Sequence, residues 1–286
     1  MRRPPLPPRA SWQPLIERAL EEDIGPGDAT SEALIPADAD GTAVIEAREA
    51  LVACGLPIAE AVFAAVDAAL AVERAWEEGE ARERDLPLLR IRGRLRSILT
   101  AERTALNFLQ RMSGVATWTR RFVHAIDGTG CRLLDTRKTL PGWRVLDKYA
   151  AAVGGAANHR LGLYDAVLIK DNHVAAAGGV GPAVRAARAG ARPSLRIQVE
   201  VESGEQAEEA LAAGAEWLLL DNRGADELRA LAGRFRTRAV LEASGGITLD
   251  NVRSIAETGV HFVSVGALTH SAPSVDIALD VTGADS

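Results

Sequence analysis

The chain is poor in lysine, cysteine and aromatic residues, and it has no long apolar run. Of its 33 basic residues only Lys138, Lys148 and Lys170 are lysines, and all three fall in one central stretch. Arginine replaces lysine on a solvated surface but not where a compact, flexible ammonium is needed, so this cluster marks a stretch to watch. The two cysteines, Cys54 and Cys131, lie far apart and form no metal-type pair. That excludes a disulfide scaffold and makes a reducing cytoplasm the expected compartment. Aromatics are 4% of residues, so Ala, Leu and Val have to fill the core. No apolar run approaches the ~20 residues that cross a bilayer. The start, MRRPPLPPRA, is basic but lacks the apolar segment of a secretory signal. Its prolines predict an extended, mobile tail over residues 1–11. A net charge of −6 and a pI near 5.5 lack the footprint of a general nucleic-acid binder. What is present is 286 residues, 47% hydrophobic, enough for one large α/β domain or two smaller ones.

The first hundred residues mix helix and strand. WQPLIERALEE (12–22) has the spacing of an amphipathic helix, followed by the turn-rich loop DIGPGDATS. GTAVIEARE (41–49) alternates like a half-buried strand, and 57–70 reads as an Ala-rich helix. LLRIRGRLRSIL (88–99) alternates again and passes into a long helix carrying AERTALNFLQRM. From about residue 130 the rhythm changes. The short apolar runs CRLLDT, DAVLIK, RIQVEV, WLLLD, AVLEAS and FVSVG alternate with helical segments near 143–153, 180–190, 204–213, 225–233 and 248–258. Strand–helix alternation implies a parallel sheet. Glycine-rich turns after the later strands favour a (β/α) barrel, although a doubly wound sheet gives the same alternation.

Polar or glycine residues follow every one of these runs: Asp135–Lys138, Lys170–His173, Glu200 and Glu202, Asp221 and Asn222, Ser244–Gly246, and Gly266. Polar residues do end strands routinely. Here, however, Lys and Arg directly continue apolar strands where neutral turn formers would serve. In a parallel barrel those ends share the catalytic face. Arg137, Lys138, Arg160 and Lys170, with His159 beside them, imply a ligand of several negative charges, because clustered cations without a counter-ion are costly. Arginine grips carboxylate or phosphate with two hydrogen bonds. Ser244, Gly245, Gly246 and Gly266 offer small, open backbone of the kind found at barrel phosphate sites. The carboxylates Glu200 and Asp221 beside such a site suit Mg²⁺ held partly by the substrate. The residues alone therefore point to a barrel enzyme acting on a phosphorylated ligand and a carboxylated one. They do not specify the reaction.

EDIGPGDATS (22–31), AERTALNFLQRMSGVAT (101–117), DTRKTLPGWRVLDKYAAAVGGAANHRLGLYD (135–165), IKDNH, VEVE, LLLDN, EASGGI and SVGALTHS run in one order from residue 22 to 271. Together they resemble the quinolinate phosphoribosyltransferases. The resemblance implies an N-terminal α/β sandwich over 12–112, joined by 272–286, and an incomplete (β/α) barrel over 113–271. It implies quinolinate and phosphoribosyl pyrophosphate as substrates, with Mg²⁺ as cofactor, in a homodimer or larger assembly. It also implies roles. Arg103 is offered to the neighbouring subunit's site, where it joins Arg137, His159, Arg160 and Lys170 in holding quinolinate. Lys138 contacts the pyrophosphate or the ring oxygens. Glu200 and Asp221 form the Mg²⁺ and ribose side. Ser244, Gly245, Gly246 and Gly266, with His270 nearby, cradle the 5-phosphate. Lys148 and His173 follow the family pattern without an assigned role, and Ala156 stands where the family often has glycine. The rival expectations are a same-fold transferase of nicotinate or of the molybdate-operon type, and a non-catalytic barrel that senses a phosphorylated metabolite.

Overall fold

The structure is a computed structural model that describes residues 3–285. The chain divides into two compact units. One holds the residues up to Arg120, Leu140–Gly155 and the segment from Ser271; the other holds Arg121–Thr139 and Ala156–His270.

The first unit is built on a four-stranded antiparallel sheet, in the order Ile277–Asp285, Asp40–Ala47, Leu86–Arg94, Ala71–Arg74. The alternation in Leu86–Arg94 has a plain cause. Leu89 and Ile91 face the core while Arg90 and Arg92 face water, as a period of two requires. The helix Leu56–Val66 buries Leu56, Ile58, Ala59, Val62 and Phe63 along one face. Its first turn is closed by Glu78, whose carboxylate accepts from the backbone N–H groups of Gly55 (2.7 Å) and Leu56 (3.0 Å) and from the Tyr149 hydroxyl (3.1 Å). Burial holds the Glu78 carboxyl above its usual value, although these donors oppose the shift.

The helix Arg144–Gly154, expected among the barrel helices, groups with this first unit. Its Asp147 is buried and accepts from Arg111 of the long helix Leu95–Ala125 at 3.0 Å. Lys148, on the same helix, is also buried. The boundary expected at 112/113 thus differs from this grouping, in which the chain passes between the units more than once. The segment from Ser271 contributes a full edge strand, paired to Asp40–Ala47. Among the elements that the sequence does not mark are a strand and a helix of the first unit. The strand Ala71–Arg74 is short and largely exposed, so it carries no alternation to read. The helix Ala29–Leu34 begins inside the apparent loop, where the Asp28 side chain caps the Ser31 N–H at 3.0 Å. The proline-rich start, expected to be mobile, has anchors. The Trp12 indole is buried and donates to Pro7 O at 3.0 Å, and Arg3 pairs with Glu77 at 2.8 Å.

The second unit is a six-stranded parallel sheet in the order Arg132–Leu134, Phe262–Ser264, Val240–Ser244, Trp217–Asp221, Ile197–Val201, Val167–Ile169. All six apolar runs became strands; the three central ones, Ile197–Val201, Trp217–Asp221 and Val240–Ser244, are mostly buried, as the middle of a covered parallel sheet requires, while the strands toward the ends of the sheet are more open. The first and last strands are not paired with each other, which leaves the barrel incomplete. The helices Val180–Gly190, Gly204–Ala212 and Ala225–Phe235 match the expected segments, while 248–258 is helical only over Val252–Ala256. Ala156 is buried and needs no left-handed backbone; Gly155 takes that conformation instead, with φ of 111°.

Candidate active site

Parallel strands bring their C-terminal ends to one edge, and the cavity of the second unit opens there. It measures about 620 Å³, a size suited to a small-molecule site. Arg137, Lys138, His159, Arg160, Lys170, Asp221, Ser244, Gly245, Gly246, Gly266 and His270 all line it. Lys170 and Asp221 sit at the strand ends themselves, whereas His159 and Arg160 arrive on the loop that pairs beside the first strand through Ala157 and Leu134.

The cation side is electrostatically incomplete. Arg137 Nε is buried and has no hydrogen-bond partner. Burial disfavours the Arg160 guanidinium's charge, and the nearby Arg137 adds repulsion, so together they hold its pKa below the usual arginine value; Asp165 opposes them. One Arg160 nitrogen donates to Ala166 O at 3.2 Å. Two partly buried guanidiniums that repel each other are stabilised by an anion between them. His159 is held firmly. Its backbone N–H donates to the buried Asp135 at 2.7 Å, and its Nδ1 accepts from the Arg160 N–H at 2.7 Å. A neutral ring with Nδ1 occupied in this way carries its proton on Nε2.

On the opposite side, Glu200 lies 3.7 Å from the Lys170 ammonium. Burial raises the Glu200 carboxyl above its usual value; Lys170 lowers it, and Asp221 and Asp171 raise it further. The glycine turn is shaped by contact. Gly245 and Gly246 have φ of 86° and 62°, and a Cβ on Gly245 would fall 2.1 Å from Asn222 Oδ1. Gly266 packs against Lys138 and His270, where a Cβ would lie 2.9 Å from Lys138 Cδ and 3.0 Å from His270 Nε2.

Two expected residues lie off the cavity wall. Glu200 is reached through Lys170, and Arg103 is an exposed residue of the long helix, in the first unit. Lys148 belongs to that unit too. His173 has a local task, as its Nδ1 accepts the Lys170 N–H at 3.0 Å and closes the start of the helix Asp171–Ala177. The wall also holds a buried acid that the sequence reading did not single out. Glu242 is buried at the cavity wall, accepts from Gln198 Nε2 (2.6 Å) and Trp217 Nε1 (2.9 Å), and lies 3.5 Å from His159 Nε2. Its signal was an acid in the middle of an apolar strand.

Family models named quinolinate phosphoribosyl transferase match the chain twice, the N-terminal domain over residues 28–113 and the C-terminal domain over 115–280. A nicotinate-nucleotide pyrophosphorylase [carboxylating] of Mycobacterium leprae is 46% identical over 274 residues, covering 93% of this chain and 95% of that protein. A probable enzyme of the same name from Bacillus subtilis is 39% identical over 268 residues, covering 94% and 92%. The solved nicotinate-nucleotide pyrophosphorylase of Francisella tularensis superposes with a TM-score of 0.93 at 38% identity, over 96% of this chain and 97% of that one. The chain belongs to the quinolinate phosphoribosyltransferase family.

Proposed function

We propose that the chain transfers the phosphoribosyl group of phosphoribosyl pyrophosphate to quinolinate, giving nicotinate mononucleotide, pyrophosphate and carbon dioxide. It is then a pentosyltransferase of NAD biosynthesis. The observation that carries this reading is the pair Arg137 and Arg160, mutually repelling and partly buried, with Arg137 Nε lacking a partner. Such a pair calls for a carboxylate, and quinolinate has two. Arg137, His159, Arg160 and Lys170 hold the acceptor. Lys138 faces the pyrophosphate, and Ser244, Gly245, Gly246 and Gly266, with His270, receive the 5-phosphate.

The pyridine nitrogen attacks the anomeric carbon with its lone pair, and the bond to pyrophosphate breaks with its electrons on the departing oxygen. The transition state is cationic at the ribose, so Glu200 and Asp221 stabilise it. The ring nitrogen is then positive. Its charge stabilises the electron pair that stays on carbon 2 when the carboxylate there leaves as carbon dioxide, and that pair then takes a proton from water. Strong ion pairing to that carboxylate would slow its loss, so the arginines serve mainly the other one. A divalent ion fits the donor set, since Glu200 and Asp221 are hard oxygen ligands and the Asp221 charge helps to raise the Glu200 carboxyl. Mg²⁺ held by these two carboxylates and by the substrate's own oxygens would supply charge neutralisation of the leaving pyrophosphate.

The working form is a homodimer or larger assembly, in which Arg103 completes the neighbouring subunit's acceptor site; its exposure on the long helix supports this. The free, buried thiols of Cys54 and Cys131 suit a reducing cytoplasm. The test is an assay of purified protein with phosphoribosyl pyrophosphate, Mg²⁺ and either quinolinate or nicotinate. Turnover of quinolinate supports the reading; turnover of nicotinate alone would refute it.

A further inference from the structure

Among the described residues, only Asp85 and Asn222 adopt a left-handed backbone without being glycine, with φ of 58° and 53°. Backbone of this kind is uncommon and gathers at functional sites. Asn222 immediately follows Asp221, and its side chain does two things there. Its Nδ2 donates to Asp221 Oδ2 at 2.7 Å. Its Oδ1 stands where a Cβ of residue 245 would be, so it packs directly on the Gly245 backbone. The Asn222 N–H meanwhile donates to Ser244 O at 2.8 Å, beyond the ladder pair Ser244 and Asp221. One residue thus ties the last acid of one strand to the glycine turn of the next.

We infer that Asn222 is a positioning residue: it fixes the rotation of the Asp221 carboxylate, locks it to the Gly245–Gly246 turn, and so sets affinity for the phosphoribosyl donor. This rests on the reading of Asp221 and that turn as the donor's side of the pocket. A carboxylate on a strand end rotates freely in water, and the neighbouring amide removes that freedom while using one of its two oxygens. The left-handed backbone is what lets the amide turn back on the preceding residue. Asparagine tolerates that backbone, but so do glycine and aspartate. Backbone tolerance alone therefore predicts that either replacement is silent.

The experiment compares wild type, Asn222→Gly and Asn222→Asp with Mg²⁺ present. It reads KM for each substrate, calorimetric affinity for phosphoribosyl pyrophosphate, and the melting temperature. Asn222→Gly is expected to weaken the donor about tenfold, with quinolinate KM within twofold and the melting temperature unchanged. Asn222→Asp is expected to be at least as impaired, because a second carboxylate repels the first. Donor affinity within twofold of wild type in both variants would overturn the inference. Equal losses for both substrates together with a lower melting temperature would also overturn it, as a scaffold defect. Asp221→Asn serves as the control. If it leaves donor affinity intact, the reading of this side of the pocket falls; if it weakens the donor while the Asn222 variants do not, only the inference falls.

Discussion

Replacing Gly266 by alanine drives a wedge into the pocket without touching the backbone. Gly266 is not among the glycines of positive φ, so alanine is allowed there. The added methyl would lie 2.9 Å from Lys138 Cδ and 3.0 and 3.1 Å from His270 Nε2 and Cδ2. Ordinary carbon contacts need roughly 3.5–4.0 Å, so each side chain has to retreat by about 0.5–1 Å. Both are exposed and flexible at their far ends, which keeps the cost to stability near ~1 kcal/mol, the low end for overpacking. Activity is more sensitive. A misplacement of about 1 Å costs on the order of 100-fold, or ~2.7 kcal/mol of barrier. Steady-state kinetics should therefore show a 10- to 100-fold loss in kcat/KM for phosphoribosyl pyrophosphate, with a nearly unchanged melting curve. Kinetics within twofold of wild type would refute the assignment of Lys138 and His270 to that substrate.

Other expectations follow from the same geometry. Lys138→Arg and Lys170→Arg keep the charge but replace a compact ammonium by a broad fork, and each should lower kcat at least tenfold in the quinolinate assay. Mixing inactive Arg103→Ala with inactive Lys138→Ala protein, under demonstrated subunit exchange, should restore part of the activity; none would argue against shared sites. In the first unit, Glu78→Gln leaves one buried donor unmatched and should cost about 1–3 kcal/mol in urea denaturation near pH 8. Burial raises the Glu78 carboxyl, so the folded chain holds that proton to higher pH than the unfolded chain. Its contribution is full below the unfolded pKa and is lost as pH rises through the folded one. Wild type should thus lose more stability than Glu78→Gln on going from that low range to pH 8, and parallel losses would exclude this linkage.

The six barrel strands were legible because each is a short apolar run bounded by helical segments, and the residues after them declared the site. Their ends converge in one cavity, lined by Arg137, Lys138, Lys170 and Asp221. What escaped notice depends on partners distant in sequence. Nothing local marks Ala71–Arg74 as a strand, for its pairing with Leu86–Arg94 makes it one. The helix Arg144–Gly154 has a clear period, but its place in the first unit depends on Asp147 meeting Arg111, 36 residues away. Glu242 reads as a flaw in an apolar strand until Trp217, from the adjacent strand, and Gln198, from the strand beyond it, supply its donors. The lysine cluster resolves unevenly. Lys138 and Lys170 line the cavity, whereas Lys148, to which no site role was assigned, is buried in the other unit.

The central claim is that one pocket couples phosphoribosyl transfer to loss of a carboxylate. Quinolinate labelled at its 2-carboxylate, given in substoichiometric amount with excess phosphoribosyl pyrophosphate and Mg²⁺, tests it directly. Labelled carbon dioxide, pyrophosphate and nicotinate mononucleotide should form in equal amounts and at one rate. Pyrophosphate released with the label retained on the nucleotide, or no reaction of quinolinate at all, would contradict it.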